Sequence, residues 1–268
     1  MAKEKESKEI AEVKPAGLPT EIFSGMEADA TNASGFEGMS ADDCAVPFLM
    51  LLQATSKKIN GPAPLVGAKA GDLFNTVSNE IFQPPFRVIP CAFKKSWVEW
   101  RPRELGGGFV KEHATDELLA QCKKGQKGED VLANGNNLVA TAYHFVLVLK
   151  EDGKYERAVL SFTSTQLKKS KKWNTQMRSQ QLRLANGKII VPPMYALSYL
   201  LEVVQESNDK GSWKGLLVGK PERIASAEIY TAAKLFHQEA TSGLVKVSQI
   251  VDEDAETIAE GPVMPEVM

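Results

Sequence analysis

The sequence predicts a strand-rich α+β fold, read as an OB-like barrel with an inserted helix and a C-terminal helix, with other α+β arrangements of the same elements open, and flanked by disordered acidic tails. Three observations lead there. Apolar and β-branched runs separated by Gly, Asn, Asp and Pro recur from residue 73 to residue 219. One polar stretch without Gly or Pro, 164–181, interrupts them. Charge is also sorted along the chain: residues 1–40 carry a net −4 and residues 252–268 a net −6, so a total of −2 leaves +8 on residues 41–251. The expected organisation is a disordered tail over 1–40, a single OB-like domain over 41–248 and an acidic tail over 249–268.

The ordered body opens at Val46 to Gln53, a run too short for periodicity to separate helix from buried strand, although Ser40, Asp42 and Asp43 before it resemble a helix start. Leu73 to Val77 and Glu80 to Phe82 read as a hairpin turned at Ser78 and Asn79. The next strand runs from Phe86 to Trp100, with Pro90 marking an edge position or a bulge. Asp116 to Lys124 reads as a short helix after the glycines at 106, 107 and 108. Thr141 to Lys150 and Tyr155 to Thr163 form a hairpin through Asp152-Gly153. A helix capped by Ser164 follows, then a second hairpin of 194–205 and 213–219. The last helix spans about Ala227 to Ala240, with Ile229, Ala233, Phe236 and Ala240 at core spacing.

A cysteine count of three, at Cys44, Cys91 and Cys122 with no C-x-x-C pair, argues against a disulfide framework or a zinc site and for a reducing compartment. The start MAKEKESKEIAEVK has no apolar stretch behind its charges, and no run approaches a membrane span. A cytoplasmic protein without membrane contact is expected. Catalytic chemistry finds little support, and a non-enzymatic protein without cofactor or metal is expected. His113, His144 and His237 lack metal-site spacing, and neither a phosphate-binding glycine loop nor a nucleophile elbow occurs. His144 reads as a structural histidine on an apolar strand, His237 as an exposed one on a helix.

Between Arg157 and Leu201 stand eight basic side chains and no acid. Sorted positive charge answers to a polyanion, and Trp173 inside the run supplies a flat ring. Cations for phosphates and rings for exposed bases are what single-stranded nucleic acid requires. For the run taken alone, a solvated helix face with one packed Trp is the alternative. The candidate binding residues on this segment are Lys168, Lys169, Lys171, Lys172, Trp173, Arg178 and Arg183. Lys94, Lys95, Trp97, Trp100, Arg101 and Arg103 form a second candidate group, in which lysines and tryptophans interleave on a strand before a glycine triplet; a buried strand whose lysine stems reach out to water is the alternative. Trp213 and Lys214 repeat the pairing beside the turn at 208–211, a segment that taken alone reads as a structural hairpin. The acidic C-terminus is read as a mobile tail over the basic surface, open to other proteins once phosphate displaces it, with a merely solubilising tail as the alternative.

Gly67 to Val77, Trp100 to Phe109, Ser164 to Asn174 and Asn208 to Trp213 resemble a family of proteins encoded by tailed bacteriophages and linked to phage single-stranded DNA binding. The resemblance covers about residues 46–240. It implies a protein of the infected bacterial cytoplasm, acting in DNA replication or recombination, with phage replication proteins as partners of the acidic tail. Phage single-strand binding proteins usually end in an aromatic residue, whereas this chain ends Val267-Met268. Two other readings stay open: an annealing or recombination mediator working as a homo-oligomeric ring or filament, and a virion or host-interaction protein that binds no DNA.

Overall fold

The computed structural model describes residues 45–245 apart from Lys127 and Lys210, together with Gly35, residues 37–39 and Asp43. The chain divides into two units, Met1–Asp43 and Cys44–Met268. In the first, the Gly35 amide donates to the Glu37 carboxylate across 2.9 Å. The expectations for the two tails fall outside the described residues.

Val46 to Gln53 resolves as strand β1 (Leu49–Leu51), followed by the single helical turn α1 (Lys57–Asn60) and the hairpin of β2 (Leu73–Asn75) and β3 (Ile81–Phe82). Asn75 shapes that hairpin, its Oδ1 accepting from the amides of Val77 and Ser78 while Asn79 turns at φ 57°. Strand β4 (Phe86–Trp100) has the predicted bounds. Strand β5 (Phe109–His113) follows the glycine triplet, whose three members all have positive φ. The expected helix at 116–124 is a 3-10 turn, Glu117–Gln121, leading into the short strands β6 (Lys123–Lys124) and β7 (Asp130–Val131).

Strands β8 (Asn137–Leu149) and β9 (Tyr155–Thr163) form the Asp-Gly hairpin as expected, with Gly153 at φ 81°. Helix α2 (Leu167–Arg178) begins three residues beyond Ser164, which has φ 46° and caps nothing. The hairpin of β10 (Leu182–Arg183) and β11 (Ile189–Ile190) was not anticipated. The long hairpin of β12 (Leu197–Asn208) and β13 (Gly211–Arg223) was, although its strands run closer to the turn than predicted. Helix α3 (Ala227–Ser242) closes the fold.

The main sheet is antiparallel, in the order β13-β12-β4-β8-β7-β6, with β9 also on β8 and β5 also on β4. The fold is strand-rich α+β, its sheet curled into half a barrel. Strand β4 lies inside it, paired with β8 from Arg87 to Trp100, and the register shift between Pro90 and Ala92 is the bulge that proline foretold. Its other edge is divided: β12 takes Phe86–Val88 and β5 takes Trp97–Trp100. The stretch between them has no strand partner there.

Alternation on β8 builds a core on each face. Tyr143, Phe145 and Leu147 point toward β1, β2 and α3, where Phe236 packs. Ala142, Val146 and Val148 point toward α2 and the β12–β13 hairpin, where Trp173, Tyr199 and Leu201 pack. Each large apolar side chain fully buried in these layers contributes about 1.5–3 kcal/mol. The exposed edge of β13 is closed by side chains, because the Gln53 amide donates to the Lys214 carbonyl at 2.9 Å and accepts from its N–H at 2.8 Å. Gln176 of α2 caps the Gly219 carbonyl, and Pro221 has no N–H to offer.

Candidate nucleic-acid interface

Helix α2 holds five cations and no acid within its twelve residues. Ser170, Trp173 and Met177 recur at i, i+3 and i+7 and form its buried stripe. The remaining arc carries Lys168, Lys171, Lys172 and Arg178, all exposed and none in an ion pair with a carboxylate among the described residues. Lys168, Lys171 and Lys172 line one shallow groove with Thr175, Gln176 and Ser179. Lys169 is different: its ammonium is 2.7 Å from Glu206 of β12, a carboxylate that also accepts from Trp213 Nε1 at 3.0 Å. Gly215 underlies this pair, and a Cβ there would run into both Glu206 and Lys169.

Burial corrects the expected stacking surfaces. Trp173 is 1% exposed, its ring stacked at 4.4 Å on His144 and edge-on to Tyr199 at 5.8 Å. It is the anchor of α2 and offers no face to a base. Trp97 is 9% exposed under the Lys95 ammonium, 4.7 Å from its ring, and Trp100 is 5% exposed against Phe109. Both faces of β4 are covered from Ser96 to Trp100, so these rings belong to the cores. Trp213 is half-buried, and Lys214 is half-buried with its backbone held by Gln53.

The cationic residues on β4 divide as well. Lys94 is exposed but pairs with Glu112 at 2.6 Å, whereas Lys95 and Arg101 are exposed without a described carboxylate partner. The Arg103 side chain lies outside those described. Arg101, just past the end of β4, stands eight residues from Phe93, roughly 25 Å at the rise of an extended strand, so it does not share one small site with the C-terminal turns of α2 beside Phe93. Arg183 is exposed and donates to the Gly187 carbonyl within its hairpin. Arg157, the first of the basic run, is partly exposed but already neutralised: it pairs with Glu239 of α3 at 2.6 Å and covers the Phe236 ring.

Each histidine has a hydrogen-bond partner within the fold. Burial pushes His144 down to about 3, so it is neutral beside Ser170, 2.8 Å from its Nε2. His237 is half-buried, contrary to expectation, and its Nδ1–H donates to the Cys91 carbonyl at 2.7 Å. His113 meets Glu99, which also accepts from Asn134 and Asn136 and so fastens the 130s turn to β4. Burial alone would raise the Glu99 carboxyl, but hydrogen bonds from Asn136, Asn134 and His113 outweigh it and hold it below the usual range. Burial pushes the Cys91 thiol up to about 12, which leaves it unreactive. Among the described residues no helix is long and apolar enough to cross a membrane.

One feature was missed by sequence reasoning. Where β4 lacks a strand partner, a cavity of about 550 Å³ opens between Phe93, the C-terminal turns of α2, residues 191–195 and His237. Phe93 stands beside Lys94 and Lys95 and is 41% exposed. An exposed aromatic before two lysines was the available signal.

The family model of the Pam3 phage gp34-like proteins matches residues 19–246. The chain belongs to that family. It is therefore a bacteriophage protein, as the resemblance implied, and the match takes in the whole folded body. No curated protein and no solved structure matches the chain.

Proposed function

We propose that this Pam3 phage gp34-like protein binds single-stranded DNA during phage DNA replication or recombination in the infected bacterial cytoplasm, without catalysing a reaction. The observation that carries the reading is the arc of Lys168, Lys171, Lys172 and Arg178, four cations without described counter-charges on one side of one helix. The N-terminal end of a helix is electropositive, so Lys168 and Lys169 in the first turn oppose the dipole and each other. The helix has no acid of its own in that turn and no side-chain cap, and Glu206 of β12 offsets Lys169 alone. A phosphate backbone would offset the charge along the whole arc.

The curled sheet with a helix between its two long hairpins is read as an OB-like barrel, a fold whose curved face commonly tracks an oligonucleotide. Burial of three of the four tryptophans shifts base contact to other rings, with Phe93 and the half-buried Trp213 as the accessible ones. The acidic residues of 252–268 would compete for the α2 arc and present a surface to phage replication proteins.

The test is fluorescence anisotropy of an end-labelled oligothymidine at two salt concentrations, with duplex of equal length as control. Binding that prefers the single strand and weakens steeply with salt is expected. Absence of affinity at low salt would overturn the proposal.

A further inference from the structure

We infer that the cavity at the open edge of β4 seats one unstacked base of the bound strand; the inference rests on the single-strand reading and adds a site to it. The cavity exists because β12 leaves β4 at Val88 and β5 joins it only at Trp97. Residues 191–195 and the two helices flank the gap and leave a cavity of about 550 Å³ that opens to solvent. That falls within the roughly 300–1,000 Å³ range of small-ligand sites and holds a nucleotide.

Its walls are flat and apolar. Phe93 packs against His144 with the two rings tilted by 63° at 5.1 Å, yet it remains 41% exposed on the cavity, and Tyr195 stands 5.0 Å from the His237 ring. Pro193 adds a rigid side. The polar groups are few and convergent. Asn174 and Arg178 have no side-chain hydrogen bond or ion pair among the described residues, and His237, donating through Nδ1, keeps Nε2 as an acceptor in the neutral ring. An amide that both donates and accepts, an imidazole acceptor and flat walls suit the edge and faces of a heterocyclic base. The guanidinium suits its phosphate. An acyl chain would leave these polar groups unmatched, and a small carboxylate would not fill the aromatic walls.

The cavity also lies on the path of the strand. Lys171, Asn174 and Arg178 stand at i, i+3 and i+7 on α2, so one stripe leads from the lysine groove to the cavity mouth. Phosphates held by the lysines would deliver the next base to Phe93.

The full chain is bound to oligothymidine carrying one 5-iodouracil, irradiated, and the cross-linked peptide identified by mass spectrometry; affinities of Phe93→Ala and Asn174→Ala are measured alongside. Cross-links at Phe93 or Tyr195 are expected. Both variants should bind about tenfold more weakly with the salt slope unchanged, the effect of one lost base contact. Asn174→Ala alters a partly exposed side chain and keeps the test valid if Phe93→Ala does not fold. Normal affinity in a folded variant, with cross-links only elsewhere, would overturn the cavity and leave the single-strand reading standing. A wild-type protein that binds no oligothymidine would overturn both.

Discussion

The helices α2 and α3 cover opposite faces of the same sheet, and they are built to different rules. Helix α3 follows the local ones: Ser226 caps it by accepting from the Ile229 amide at 3.2 Å, Glu228 lies in its first turn, and Gly243 closes it at φ 78°. Its Glu239 neutralises Arg157 beneath it. Helix α2 has no side-chain cap, begins with lysines and carries no acid. Its formation rests on tertiary burial of Trp173 and Met177. A segment that breaks several local rules at once, while its outer arc remains charged and unpaired, is where function is expected to have overridden stability.

Truncating the two anchors tests that contrast most strongly. Trp173→Ala and Phe236→Ala should each cost about 3–5 kcal/mol in urea unfolding, since both rings are fully buried. A loss below about 1 kcal/mol for Trp173→Ala would mean that the ring is not the anchor of α2.

Acid should loosen the α2 face first. His144 is held near 3 when folded and titrates near 6.5 when unfolded, so the unfolded chain binds the extra proton. Its contribution is intact above pH 6.5 and is lost as pH falls toward 3, at up to about 1.4 kcal/mol per unit. Urea midpoints at pH 7.5 and 5 should differ in that direction, and His144→Phe should reduce the difference. Equal pH dependence in the variant would contradict the assignment.

On the α3 face, Arg157→Ala should cost roughly 0.5–1 kcal/mol, the scale of a partly exposed ion pair. The smallest stability effect belongs to Lys171→Ala with Lys172→Ala, within about 0.5 kcal/mol of wild type. A loss comparable to that of Trp173→Ala would show that these lysines hold the fold and break the division between the two sides of α2.

Much of this was readable in the sequence, and the failures share a cause. Asp152-Gly153, Pro90 and the spacing of Ala233 and Phe236 announced their hairpin, bulge and helix because each signal is local. Strands β6, β7, β10 and β11 have two residues each, too few to alternate. The role of Trp173 was half legible, since Ser170, Trp173 and Met177 form a narrow stripe at helical spacing. What completes it, the His144 ring across the sheet, is separated by 29 residues and leaves no periodic trace. The sorted charge was legible in aggregate, but pairing of Arg157 with Glu239 and of Lys169 with Glu206 is set only by the fold. The cavity depends on where two strands leave a third, which no motif records.

The central claim is that the buried stripe of α2 makes the fold and its exposed arc meets phosphate. The most direct measurement is the salt dependence of oligothymidine affinity for wild type and for the Lys171→Ala, Lys172→Ala double variant, with stability measured on the same samples. The account predicts unchanged stability, weaker binding, and a log–log slope shallower by about 1.4, two contacts at the single-strand value. An unaltered slope and affinity in a folded double variant would contradict it.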